Sequence, residues 1–105
     1  MDNFRIIYKI LHYLEKAMDY DEPDMDMISP ESLKITENRW MAIMKQLYKD
    51  GFIEGLTINK SADGTMSVIS GTPQITIKGL EYLSENSLMK KAAEVAKGVV
   101  TVAAR

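Results

Sequence analysis

Between Ser29 and Gly51 the chain carries two helix starts and a helix stop, packed closely enough to exclude most arrangements. Ser29-Pro30-Glu31 is the first start, with a hydroxyl to cap, a proline at the first helical position and an acid in the first turn. It predicts a short helix over about Pro30–Lys34. Thr36 caps a second, longer helix over about Glu37–Asp50, and Gly51 ends it. Trp40, Ile43, Met44 and Leu47 mark the inward side of that helix by their i, i+3, i+4, i+7 spacing. Two helices divided by so short a break form a helix-turn-helix.

The flanks narrow the choice further. Residues 3–18 read as a helix whose apolar arc, including Ile6, Ile10, Tyr13, Leu14, Ile7, Leu11, Phe4 and Tyr8, covers about half the circumference. A helix lying on one neighbour shows a narrower stripe, so this one is expected to pack on two sides. His12, Lys9, Lys16 and Arg5 take its polar face. The alternation Asp24-Met25-Asp26-Met27 suggests a short strand. After the helix-turn-helix, Phe52–Asn59 alternates as a strand. Ser61-Ala62-Asp63-Gly64 gives an Asp-Gly hairpin turn and Thr65–Ile69 the return strand. Ser70–Gln74 reads as a loop, and Thr76 caps a helix over about Ile77–Glu85.

Helix, short strand, helix, turn, helix, hairpin, helix is the order of an α+β winged helix. The Met-rich strand would complete a three-stranded sheet, and Lys60–Gly64 would be the tip of the wing. Residues 1–86 are expected to form this domain, and residues 87–105 an additional C-terminal amphipathic helical tail. On its apolar side the tail places Leu88, Met89, Ala92, Ala93, Val95, Ala96 and Val99, and on its polar side Lys90, Lys91, Glu94 and Lys97. Gly98 and the β-branched run after it weaken the helix beyond Lys97. The tail has three readings: docking on the second side of the first helix, pairing with another subunit as a homodimer contact, or lying on a membrane; the last is disfavoured, since valine and alanine bury little area and no Trp or Phe anchors the tail in a bilayer.

Two segments also resemble a known family. They are Ile35-Thr36-Glu37-Asn38-Arg39-Trp40 with Leu47-Tyr48-Lys49-Asp50-Gly51-Phe52-Ile53-Glu54-Gly55, and Ile75-Thr76-Ile77-Lys78-Gly79-Leu80-Glu81-Tyr82-Leu83-Ser84-Glu85-Asn86. Both are similar to the YjcQ family, over about residues 3–95. The resemblance implies a winged-helix fold and a phage or prophage context. It carries no catalytic or binding residue to this chain.

The outward side of the second helix-turn-helix helix holds Lys45, Asn38, Lys49, Ala42, Gln46 and Arg39. Arg or Lys suits guanine, Asn or Gln suits adenine, and Ala permits close approach in a major groove. With Lys60 of the wing these residues make a candidate surface for double-stranded DNA. Against it stands a net charge of -2. That figure conceals an asymmetry, because Asp19, Asp21, Glu22, Asp24 and Asp26 fall within eight residues. Setting those five aside leaves thirteen basic against ten acidic residues, a balance of +3. The same fold also serves as a protein-interaction module, so DNA binder and interaction module both stand. A positive surface on this helix would favour DNA and an apolar one a protein.

Other functions find no support in the residues. The chain has no cysteine and one histidine, which leaves nothing for thiolate or multi-histidine metal sites. The acidic stretch fits no calcium-loop register, since Pro23 or Met27 falls where a ligand or the glycine belongs. It is expected to be a solvated loop that stabilises nothing specific. There is no phosphate-binding glycine loop and no nucleophile with a histidine partner. The expectation is a protein that is not an enzyme, takes no cofactor, and has no evident small-molecule substrate. No apolar run approaches the roughly 20 residues of a membrane span and the first residues do not read as a leader, so a cytoplasmic location is expected. Trp40 is expected in the core.

Overall fold

The computed structural model describes residues 2–60, 62 and 67–86. Helix α1 spans Asn3–Ala17 and starts where the Asp2 carboxylate accepts the Arg5 amide at 2.9 Å. Its inward side, Ile6, Ile10, Leu11, Leu14 and Ala17, is buried. His12 is half-buried and stacks on Tyr8 at 5.8 Å, rather than standing free on the polar face.

The Asp-Met alternation is not a strand. Met25–Ile28 forms a 3₁₀ turn. The Asp24 carboxylate accepts the Asp26 amide at 3.0 Å, and the hydroxyls of Ser29 and Ser32 both donate to the Asp26 carbonyl. These local bonds satisfy the backbone without a neighbouring strand and override the alternation. The expected three-stranded sheet is therefore replaced, among the described residues, by a two-stranded one. The acidic loop also has a structural task at its end. Tyr13 Oη accepts the Asp24 amide at 2.8 Å while the Asp24 side chain caps the turn, so the loop is anchored to α1.

Helix α2 spans Pro30–Leu33 under the Ser29 cap, and α3 spans Glu37–Lys49 under the Thr36 cap. Both end in the same way. After α2, Lys34 takes a left-handed conformation, φ 58°; the Lys34 amide donates to Glu31 and that of Ile35 to Pro30. After α3, Gly51 has φ 82°, with the Gly51 amide donating to Tyr48 and that of Phe52 to Leu47. This paired closure satisfies two orphan carbonyls and turns the chain sharply, which keeps α2 and α3 distinct.

Strand β1, Ile53–Lys60, pairs antiparallel with β2, Ser67–Ile75, from Ile53 opposite Ile75 to Lys60 opposite Ser67. Ser70–Gln74 is thus strand rather than loop. Thr72 and Pro73 form a bulge opposite Gly55, where the register slips between Glu54 and Leu56. The two backbones come together there at Gly55 and Gly71, both with positive φ. A Cβ on Gly55 would lie 2.5 Å from the Thr72 carbonyl oxygen. The tip residues 61 and 63–66 lie outside the described part, as does the expected tail at 87–105.

Helix α4, Ile77–Glu85, is tied to the end of α3. Thr76 Oγ1 accepts the Gly79 amide at 3.1 Å and donates to the Gly51 carbonyl. Lys78 Nζ reaches the Asp50 carbonyl at 2.8 Å and lies over the Phe52 ring. Gly79 is buried against Phe52 and Ile75, with no room for a side chain. The core joins Ile6, Ile10, Leu11 and Leu14 of α1 to Met44 and Leu47 of α3, Ile53 of β1, Ile75 of β2 and Leu83 of α4. Among the described residues, four α-helices with one hairpin make an α+β fold compatible with a winged helix. No helix among the described residues is long and apolar enough to cross a membrane.

Candidate functional site

Helix α3 has two unlike sides. Ile43, Met44 and Leu47 are buried, and Trp40 is half-buried against them. The indole of Trp40 is also a tether, because its Nε1 donates to the Ile28 carbonyl at 2.8 Å. That bond closes the 3₁₀ turn over the start of α3, so the helix-turn-helix is fixed at both ends. The opposite side is therefore held outward by packing rather than by its own residues.

On that outward side Asn38, Arg39, Ala42, Gln46 and Lys49 are all exposed. Lys45, beside them, is half-buried. Among the described residues none of Arg39, Lys45 and Lys49 is held in an ion pair. Gln46 is partly engaged, its amide donating to Asp50 Oδ2 at 3.0 Å. This contact sets a carboxylate at the C-terminal edge of the face, while Glu37 stands at its start. The middle of the face carries no acid. Lys60 is exposed but belongs to the hairpin, at the end of β1 remote from Ile53. Six of the seven expected residues thus share one helix, and Lys60 stands apart on another element.

Along the edge formed by Arg39, Ala42 and Gln46 opens a groove of about 610 Å³, whose other wall is the first turns of α1. Phe4, Ile7, Phe52 and Tyr82 supply its apolar lining. Phe4 is 63% exposed, unusual for an aromatic side chain on a core-facing helix. Phe52 and Tyr82 meet edge to face at 5.4 Å and form its floor near α4. Partial burial pushes the Tyr82 phenol above its ordinary value, so it lines the groove as a neutral group. The sequence signal for this groove is the over-wide apolar arc of the first helix. One flank of that arc fills the core; on the other, Ile7 packs against the edge of the core and Phe4 is left exposed.

The family model described as YjcQ protein matches residues 8–101. No curated protein and no solved structure matches the chain. The match takes in the helix-turn-helix, the hairpin and α4, and runs on past Asn86. The chain belongs to the YjcQ family.

Proposed function

We propose that this protein is a winged-helix DNA-binding protein, a regulator of phage or prophage type, that lays the outward face of α3 in the major groove. It acts without chemistry of its own, without cofactor or small-molecule substrate, in the cytoplasm. The observation that carries the reading is the face itself. Asn38, Arg39, Ala42, Gln46 and Lys49 stand exposed together on a helix whose other side is locked into the core. Arg39 and Lys49 supply phosphate or guanine contacts, Asn38 and Gln46 adenine contacts, and Ala42 allows close approach. The ammonium of Lys45 and the Lys60 side chain of the wing add backbone contacts. With so few cations, non-specific affinity is expected near 10⁻⁴–10⁻⁶ M at physiological salt, and useful occupancy calls for two copies on adjacent half-sites.

The test is an anisotropy titration of labelled random duplex at about 50 mM salt, where electrostatic binding is favoured. Wild type is expected to bind, and Lys45→Glu/Lys49→Glu to lose most of that affinity at an unchanged circular-dichroism spectrum. Both lysines lie off the lining of the groove, so the result reports on the face alone. Absence of binding by wild type, or equal binding by the double variant, rejects DNA reading by this face. A second reading, a protein-interaction module, draws on the exposed apolar lining of the groove. It takes precedence if the titration fails.

A further inference from the structure

We propose that the groove between α1 and α3 is the seat of the chain's own residues 88–96, bound in cis by their apolar side. The inference stands on the groove and on the route of the chain; because the groove runs along Arg39, Ala42 and Gln46, a segment seated there and DNA would compete for that edge of α3.

The route comes first. Helix α4 stops at Glu85, and Asn86 leaves helical geometry with φ -106° and ψ 23°. Both its amide and its side-chain nitrogen donate to the Tyr82 carbonyl at 2.9 Å, which seals the helix end. Tyr82 is itself a wall of the groove. Asn86, the last described residue, therefore stands one turn of helix from that wall.

The fit comes next. At helical spacing, Leu88, Met89, Ala92, Ala93, Val95 and Ala96 share one side, and Lys90, Lys91 and Glu94 the other. Nine residues of helix extend about 13 Å at 1.5 Å per residue. The α3 wall, from Arg39 to Asp50 just past its end, extends about 18 Å by the same measure. The small Ala42 lies on that wall one turn from Arg39, where alanines at 92, 93 and 96 permit close helix approach. The two long side chains, Leu88 and Met89, come first, next to the aromatic floor of Phe52 and Tyr82.

Two further observations favour a cis occupant. The family match continues to residue 101, so this segment belongs to what the family shares rather than to an extension of it. A tether of one or two residues gives an effective concentration in the millimolar range, which a second copy at micromolar concentration does not equal. Seated there, the segment would cover Phe4 and Ala42 and confine the free α3 face to Asn38, Lys45 and Lys49.

The chain has no cysteine, so introduced pairs can be read without background. A disulfide closes only when Cα atoms come within about 4.4–6.8 Å. Full-length Ala42→Cys/Ala92→Cys, Ala42→Cys/Ala93→Cys and Ala42→Cys/Ala96→Cys sample the register of a docked helix. Ala62→Cys/Ala93→Cys, on the exposed hairpin turn, is the control. Each is oxidised at low micromolar concentration and followed by non-reducing electrophoresis and intact mass. At least one of the three pairs is expected to close within the monomer while the control stays reduced. Failure of all three to close, closure only as a linked dimer, or equal closure of the control overturns the proposal. No DNA enters the experiment, so its outcome is separate from that of the titration.

Discussion

The two sides of α3 differ in what fixes them. On the inner side, Met44 and Leu47 are almost wholly buried and meet α1, β1 and α4 in one core. Their identities follow from volume and hydrophobicity, and the site cannot change without the fold changing. On the outer side, Asn38, Ala42 and Lys49 face solvent, and the fold asks almost nothing of them. Polar residues of types suited to base edges, set there without an acid among them, carry information that packing does not demand. The two demands are separated on one helix, since one half of its circumference is spent on architecture and the other is free of it.

That division can be tested by its energetics. The largest effect is expected at the inner side. Met44→Ala removes a side chain only 1% exposed and should cost about 2–5 kcal/mol of stability, measured by urea unfolding. A loss below about 1 kcal/mol would mean that the core tolerates a cavity at its centre. Trp40 stands at the border between the two sides. Trp40→Phe keeps most of the ring but leaves the Ile28 carbonyl without its donor, so about 1–3 kcal/mol should be lost. Amide exchange should quicken at Met25–Ile28 more than in α1, because the indole is the clamp on that turn. The smallest effect belongs to the outer side. Lys49→Ala should leave stability within about 0.5 kcal/mol of wild type. In DNA titrations it should lower the slope of log affinity against log salt by about one unit. A large stability change with an unaltered salt slope would assign Lys49 to architecture and dissolve the contrast.

The same contrast explains where sequence reading succeeded. Helix starts at Ser29, Thr36 and Thr76 were legible because a cap is a local device: one side-chain oxygen serves an amide three residues on. The stop at Gly51 was legible for the same reason. The equivalent stop at Lys34 was not foreseen as a left-handed residue, since a lysine there carries no sequence signal and only the paired closure requires it. Two regions were misread. Asp24–Met27 alternates like a strand, yet Asp24 and two serines hold it as a 3₁₀ turn. Ser70–Gln74 has loop composition, yet pairing with β1 on both sides of a bulge makes it strand. In both, the deciding hydrogen bonds are satisfied by groups that periodicity does not count.

By itself the sequence determined the helical elements, the hairpin, the identity of the buried residues on α3 and the set of polar side chains on its outer face. Each rests on interactions within a few residues, or on a periodicity that burial must respect. Only the tertiary structure decided which flank of the over-wide α1 arc was filled. Ile6 and Ile10 went into the core, while Phe4 and Ile7 were left to wall a groove beside Ala42 and Gln46. That outcome depends on the angle at which α1, α3 and α4 meet. Gly79 packed against Phe52 and Ile75, and the Thr76 bridge to Gly51, fix α4 at the end of α3 through close contacts between residues far apart in the chain.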